Sequence, residues 1–126
     1  MSNECTPLYR PGDEITCLAT TPITGKRFVN ITANRDLSNG LIKVGTPAAA
    51  GKVFGVAARD AASGTRVVVL RVGVLPITAA GSITAGSDVE VTATGAVVTL
   101  ASGAAVGKAV ENGTNGSDVL VAINPR

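Results

Sequence analysis

The sequence predicts a mainly β fold: a small antiparallel β-barrel or sandwich-like domain with an extended N-terminal arm and little helix. Three features carry that expectation. Residues 52–123 consist mostly of Val, Ala, Thr and Gly, with no histidine, tryptophan or cysteine. Short stretches of apolar–polar alternation recur along the chain, each bounded by a glycine-containing turn; that spacing is characteristic of antiparallel sandwiches and barrels. Pro7 and Pro11 bias the residues before them away from helix, and Pro11-Gly12 signals a turn, so residues 1–12 read as an arm ahead of one domain spanning 13–126.

The strands follow in order. In residues 14–20, Ile15, Cys17 and Ala19 alternate with Thr16, Leu18 and Thr20. A loop, Thr21-Pro-Ile-Thr-Gly-Lys26, leads to a second strand over 27–33. Residues 34–40 are polar and end in Asn39-Gly40, a strong turn signal. A short strand is expected over 41–44. The connection over 45–51 contains an alanine triplet too short to propagate a helix alone. Residues 53–58 read as a strand with Gly55 at a bulge or close approach. Residues 66–74 form an apolar β-branched run (Val67, Val68, Val69, Leu70, Val72) that suits a strand covered on both faces. Beyond it, strands are expected over 88–92, 96–100 and 118–123, with a turn-rich loop at 112–117. Val89 and Val91 point to one side, Asp88, Glu90 and Thr92 to the other. Any helix is limited to a turn or two near 47–51 or 103–110, and no self-similar repeat of constant period stands out.

The bulk numbers bound the rest. A chain of 126 residues is one domain's worth. Phe28, Phe54 and Tyr9 are the only rings, so Val, Ile, Leu and Ala supply the core, with less apolar area per side chain. The net charge of +2 is scattered and mixed in sign. No basic stripe tracks a phosphate backbone, and few rings are present to stack on bases, which argues against nucleic acid. No apolar run approaches a membrane span. Met1-Ser-Asn-Glu-Cys5 has no signal-peptide h-region, so synthesis in a cytoplasm is expected.

The chain carries little chemistry. Without histidine, Ser-His-Asp and Cys-His catalysis and histidine metal sites are excluded. Cys5 and Cys17 fit no standard zinc spacing. Cys17 reads as a small buried apolar residue; a bridge to Cys5 or between chains is the alternative. Gly103-Ala-Ala-Val-Gly-Lys-Ala109 and Gly45-Thr-Pro-Ala-Ala-Ala-Gly-Lys-Val53 imitate a phosphate loop with the wrong spacing and no hydroxyl after the lysine, and read as turns. Asp88 and Glu90 read as the solvated face of a half-buried strand. No catalytic residue, cofactor or metal site is expected.

Two groups remain as contact candidates. In the arm, Pro7, Leu8, Tyr9, Arg10 and Pro11 place a Tyr-Arg pair, types enriched at binding hot spots, within a proline-stiffened segment that loses less entropy on docking. Arg59, Arg66 and Arg71 are possible interface charges that could form a small positive patch.

Pro7-Leu-Tyr-Arg-Pro-Gly12, Ile15-Thr16 and Thr24-Gly-Lys-Arg-Phe-Val29 resemble the opening of small head-decoration proteins of tailed bacteriophages, also called capsid cement or stabilisation proteins. The likeness is strongest to versions from phages of actinobacterial hosts. It continues through Gly55-Val-Ala57, Asp60-Ala61, Gly64, Gly73-Val-Leu-Pro76, Ile83-Thr-Ala-Gly86, Val89-Glu-Val91, Gly95, Val106-Gly-Lys-Ala109 and Asp118-Val-Leu-Val121. The resemblance implies a viral structural protein on the outer surface of the virion capsid, made in the host cytoplasm. Its partners would be the major capsid protein and itself, as a homotrimer near three-fold or quasi-three-fold positions, with no nucleic acid or membrane. It would clamp neighbouring capsid subunits and stabilise the shell. Another virion structural role, such as head–tail joining, tail or accessory capsid protein, is the alternative.

Overall fold

The computed structural model describes residues 3–9 and 11–125; Arg10, an arm candidate, lies outside the described residues. Ten strands account for the regular structure: β1 (Glu14–Ala19), β2 (Phe28–Ala33), β3 (Ile42–Gly45), β4 (Gly55–Ala57), β5 (Arg66–Leu70), β6 (Val74–Thr78), β7 (Asp88–Val91), β8 (Val97–Thr99), β9 (Gly107–Ala109) and β10 (Asp118–Ile123). No helix occurs among the described residues. The mainly β expectation holds, with three corrections. The apolar run over 66–74 is not one strand. It ends at Leu70, and Gly73, at φ 124°, redirects the chain into β6 in a different sheet. Nor is β5 covered on both faces to the same degree: Val67 and Val69 are buried, while Val68 and Leu70 are half-buried. Finally, Gly107–Ala109 form strand β9, which the alternation in the sequence did not mark.

The first five strands close into a barrel in the order β1-β3-β2-β4-β5, with β5 returning to β1. All its pairings are antiparallel except β1–β3, which is parallel through Cys17↔Ile42, Leu18↔Lys43 and Ala19↔Val44. The last five form a sheet in the order β6-β10-β9-β7-β8. One parallel bridge, Ala79↔Val97, joins its two ends.

The two halves are the same fold twice. Ile23 and Ala61 exchange both backbone hydrogen bonds in the first half, and Ile83 and Gly113 exchange theirs in the second. Ala19 bonds Thr65 and Gly64 as Ala79 bonds Ser117 and Gly116. Each half has two turns in which the third residue after a bridge residue adopts the left-handed conformation. Glycine occupies three of these positions, Gly64 (φ 85°), Gly86 (φ 89°) and Gly116 (φ 85°), while Lys26 (φ 63°) occupies the fourth. The matching positions lie sixty apart early in each half (Ala19 and Ala79, Ile23 and Ile83) but fifty-two apart late (Ala57 and Ala109, Val67 and Val119). The difference arises between β2 and β4. The β2–β3 hairpin of the first half is long, with a bulge between Ile31 and Ala33, whereas Thr92 to Ala96 make a tight turn in the second. This is why no constant period is visible in the sequence.

Duplication also explains the scarcity of rings. A narrow five-stranded barrel fills with small side chains. The first core holds Ile15, Cys17, Ala19, Ile23, Val29, Val44, Ala57, Val67 and Val69. Equivalent positions in the second hold Ile77, Ala79, Ile83, Val89, Val97, Ala109, Val119 and Val121. Two narrow cores have no room for what one wide core would need.

The halves interlock at the seam of the second sheet. Lys26 to Phe28 lies where β6 and β8 fail to pair beyond their single bridge: Thr78 N–H donates to the Lys26 carbonyl (2.9 Å), and Phe28 N–H donates to the Gly95 carbonyl (2.9 Å). Phe28, fully buried, joins the core of the second half together with Val53 and Val56. Ala50 N–H donates to the Val91 carbonyl, and Ala104 N–H to the Ala50 carbonyl. Lys26 Nζ reaches Asp118 at 2.8 Å across the junction, and this hydrogen bond and charge raise the lysine pKa.

Candidate docking surfaces

The arm has no strand among its described residues. Pro7 is exposed and Leu8 is 71% exposed. Tyr9 behaves differently: it is half-buried and packs against the core of the first barrel. Gly12 turns the chain at φ 86°, and an Arg71 N–H···O bond to the Asp13 carbonyl (2.8 Å) ties the end of the arm to the end of β5. The Tyr9 ring is therefore an intramolecular anchor, and of the described arm candidates Pro7, Leu8 and Pro11 are left at the surface.

The three arginines do not gather into one patch. The Arg59 side chain lies against the carbonyl of Arg66 (3.4 Å), and both residues are exposed. Arg71 sits beyond the other end of β5, roughly 17 Å along the strand from Arg66. There its Nε donates to the Phe54 carbonyl (2.9 Å) and its guanidinium covers the Phe54 ring at 4.4 Å from the centroid. Such a cation–π contact with a satisfied N–H holds the residue in the fold. Arg59 and Arg66 remain as the exposed pair.

Glu90 departs from the solvated-face expectation. Its side chain alternates outward from β7, but the loop after β8 folds over it, and the residue is 8% exposed. Oε1 accepts three backbone N–H bonds, from Ala101 (2.7 Å), Ser102 (3.2 Å) and Gly103 (3.1 Å). Those donors hold its carboxyl below the ordinary range. Glu90 thus organises a loop whose next residue, Ala104, bonds the first half. Asp88, its neighbour on the same face, pairs with Lys108 at 3.4 Å. The two carboxylates are engaged separately and do not make an acid–base pair.

Chemistry elsewhere is sparse. No cluster of three or more His, Cys, Asp or Glu occurs among the described residues. Both cysteines are free: Cys5 is exposed and Cys17 buried, and burial pushes the Cys17 thiol up to about 11. The two lysine-containing turns precede no helix. One open depression is lined by Asp88, Ala105, Lys108, Ala122 and Ile123, without a nucleophile or paired acids. What the surface offers is contact area on a body of two interlocked halves, one a closed barrel and the other a five-stranded sheet.

A family model described as phage cement protein matches residues 10–124. The chain belongs to the phage cement protein family. It is thereby a phage capsid structural protein. Among solved structures, the N base of head fiber gp8.5 of bacteriophage phi29 is similar in fold: TM-score 0.72, 21% sequence identity, covering 88% of this chain and 92% of that one. No curated protein sequence matches this cement protein. The family match begins at residue 10, so Pro7, Leu8 and Tyr9 lie outside it.

Proposed function

We propose that this cement protein binds the outer surface of an assembled phage capsid and bridges neighbouring capsid subunits, stabilising the shell. The match to the cement family over residues 10–124 carries the reading. The interlocked halves support it, because a strut that bridges subunits transmits load only if it is stiff. Phe28 and the Lys26 backbone join the halves by burial and hydrogen bonds in place of a flexible linker. Binding to the assembled shell and not to its separated subunits stabilises the shell by linkage. Many copies on a symmetric surface add weak contacts into a strong one.

In this reading, copies gather as homotrimers near three-fold or quasi-three-fold positions, against the major capsid protein. The arm, anchored on its own barrel by Tyr9, reaches the neighbouring surface with Pro7, Leu8, Arg10 and Pro11, and Arg59 and Arg66 make peripheral contacts. The test is addition of purified protein to shells lacking it. Saturable binding at hundreds of copies per particle, with a higher temperature of shell disruption, supports the proposal. Binding at about a dozen copies, or no change in disruption temperature, overturns it.

A further inference from the structure

The duplicated fold supplies its own control for which surface residues the architecture requires. On the outward face of the second sheet, Pro76, Leu120 and Val110 stand side by side: Pro76 pairs with Leu120 in the β6–β10 register, and Val110 N–H donates to the Leu120 carbonyl. The next row places Val74 opposite Ala122. Val74 is 54% exposed, Val110 50% and Leu120 37%, and Pro76 is exposed. The first barrel has the same rows in the same registers. Thr16 pairs with Val68, Ala58 N–H donates to the Val68 carbonyl, and Glu14 pairs with Leu70. There the exposed positions are Glu14, Thr16 and Ala58, while Val68 and Leu70 are half-buried. The fold tolerates Glu, Thr and Ala where the second half presents Val, Pro and Val. The apolar character of the second face is not demanded by folding.

We infer that the Val74–Pro76–Val110–Leu120 face is the surface that docks on the shell, and that its occupant is a flat, apolar, uncharged patch of a capsid subunit. This rests on the function proposed above and assigns the contact within it. Two observations choose the occupant. The charges bordering the face are already engaged within the chain: Asp118 pairs with Lys26, Lys108 pairs with Asp88, and Glu111 Oε2 accepts the Leu120 N–H at 3.2 Å, so none of them is left to call for a charged partner. The face is also small. A stable free pair of proteins commits roughly 20–30 residues on each side, and four or five exposed side chains fall far short. A contact of that size does not hold two free copies together, but it is sufficient when many copies share one shell.

The test copies the first half onto the second. The triple variant Val74→Glu, Pro76→Thr, Val110→Ala installs residues that the same fold already carries at those positions; Leu120→Lys is a separate probe. A control, Thr16→Lys, alters the equivalent site of the first barrel. Far-ultraviolet circular dichroism and a thermal melt check folding, sedimentation gives the oligomeric state, and binding is titrated on shells lacking the protein. The expected result is an oligomeric state of the free protein that Leu120→Lys leaves unchanged, with shell affinity reduced roughly tenfold or more by each of the two face variants and unchanged in Thr16→Lys. Wild-type affinity in folded face variants overturns the inference. So does a wild-type dimer in solution that Leu120→Lys dissolves, since the occupant would then be a second copy. Failure of the wild type to bind shells at all is a distinct outcome: it removes the proposed function and this contact with it.

Discussion

Phe28 and Gly95 meet backbone to backbone, the Phe28 N–H donating to the Gly95 carbonyl at 2.9 Å while the Phe28 ring enters the core of the opposite half. Gly95 stands at φ 85°, and a β-carbon there would run into the Phe28 carbonyl oxygen. The junction between the halves is thus built around one missing side chain and one buried ring.

Two substitutions test that junction. Gly95→Ala combines a left-handed backbone with a collision against main chain and is expected to cost about 3 kcal/mol or more. Phe28→Ala removes a fully buried ring and is expected to cost about 3–5 kcal/mol. Urea unfolding followed by circular dichroism measures both. A loss under about 1 kcal/mol for either would show that the halves hold together without this contact.

Glu90 makes stability depend on acid. Its folded-state pKa is lowered from the usual 4.5 by the N–H groups of Ala101, Gly103 and Ser102. The ionised form therefore stabilises the fold above the unfolded pKa, and that contribution is lost as pH falls through the folded value. Glu90→Gln is expected to be less stable than wild type near neutrality, and the gap should close as pH drops below 4.5. Denaturation midpoints across pH 7 to roughly pH 2 provide the check; a gap constant with pH would assign the role to shape instead of charge.

Cys17 is fully buried and Cys5 exposed. With the Cys17 thiol raised to about 11, almost no thiolate exists near neutral pH, and the thiolate is the reactive form. A disulfide-exchange dye should titrate one thiol in the native protein and both in denaturant. Prompt reaction of both without denaturant would contradict the burial of Cys17.

The arm divides at Tyr9. Removing residues 1–8 takes away the exposed residues 3–8 and should leave the melting temperature nearly unchanged while weakening shell binding. Tyr9→Ala removes a ring packed on the first core and is expected to cost about 1 kcal/mol of stability. Calorimetry of the two variants beside shell titration separates grip from anchor. Full shell affinity without residues 1–8 would take Pro7 and Leu8 out of the contact.

The alternating strands were legible from Ile15, Cys17 and Ala19, or from Val119 and Val121, because a period of two depends only on neighbours in the chain. The duplication was not legible, although Gly64-Thr-Arg-Val67 and Gly116-Ser-Asp-Val119 occupy equivalent turns. Each matching segment is short, and the longer β2–β3 hairpin changes the spacing between them. Glu90 and its loop were missed for another reason: its donors lie eleven to thirteen residues away, and no local pattern marks such a pairing. The three arginines looked like a patch because they are close in sequence, but a strand carries Arg66 and Arg71 to opposite ends.

By itself, the sequence determined the β class, the small-residue core, the poverty of reactive groups and the outline of the cement family, since these follow from composition, local alternation and motif order. Tertiary structure decided that the chain is one fold twice, that Phe28 rather than a linker joins the halves, that Tyr9 faces inward, and that Val74, Pro76, Val110 and Leu120 share one outward face. Those facts depend on strand pairings between residues distant in the chain, and a register is set by which apolar faces can be buried together.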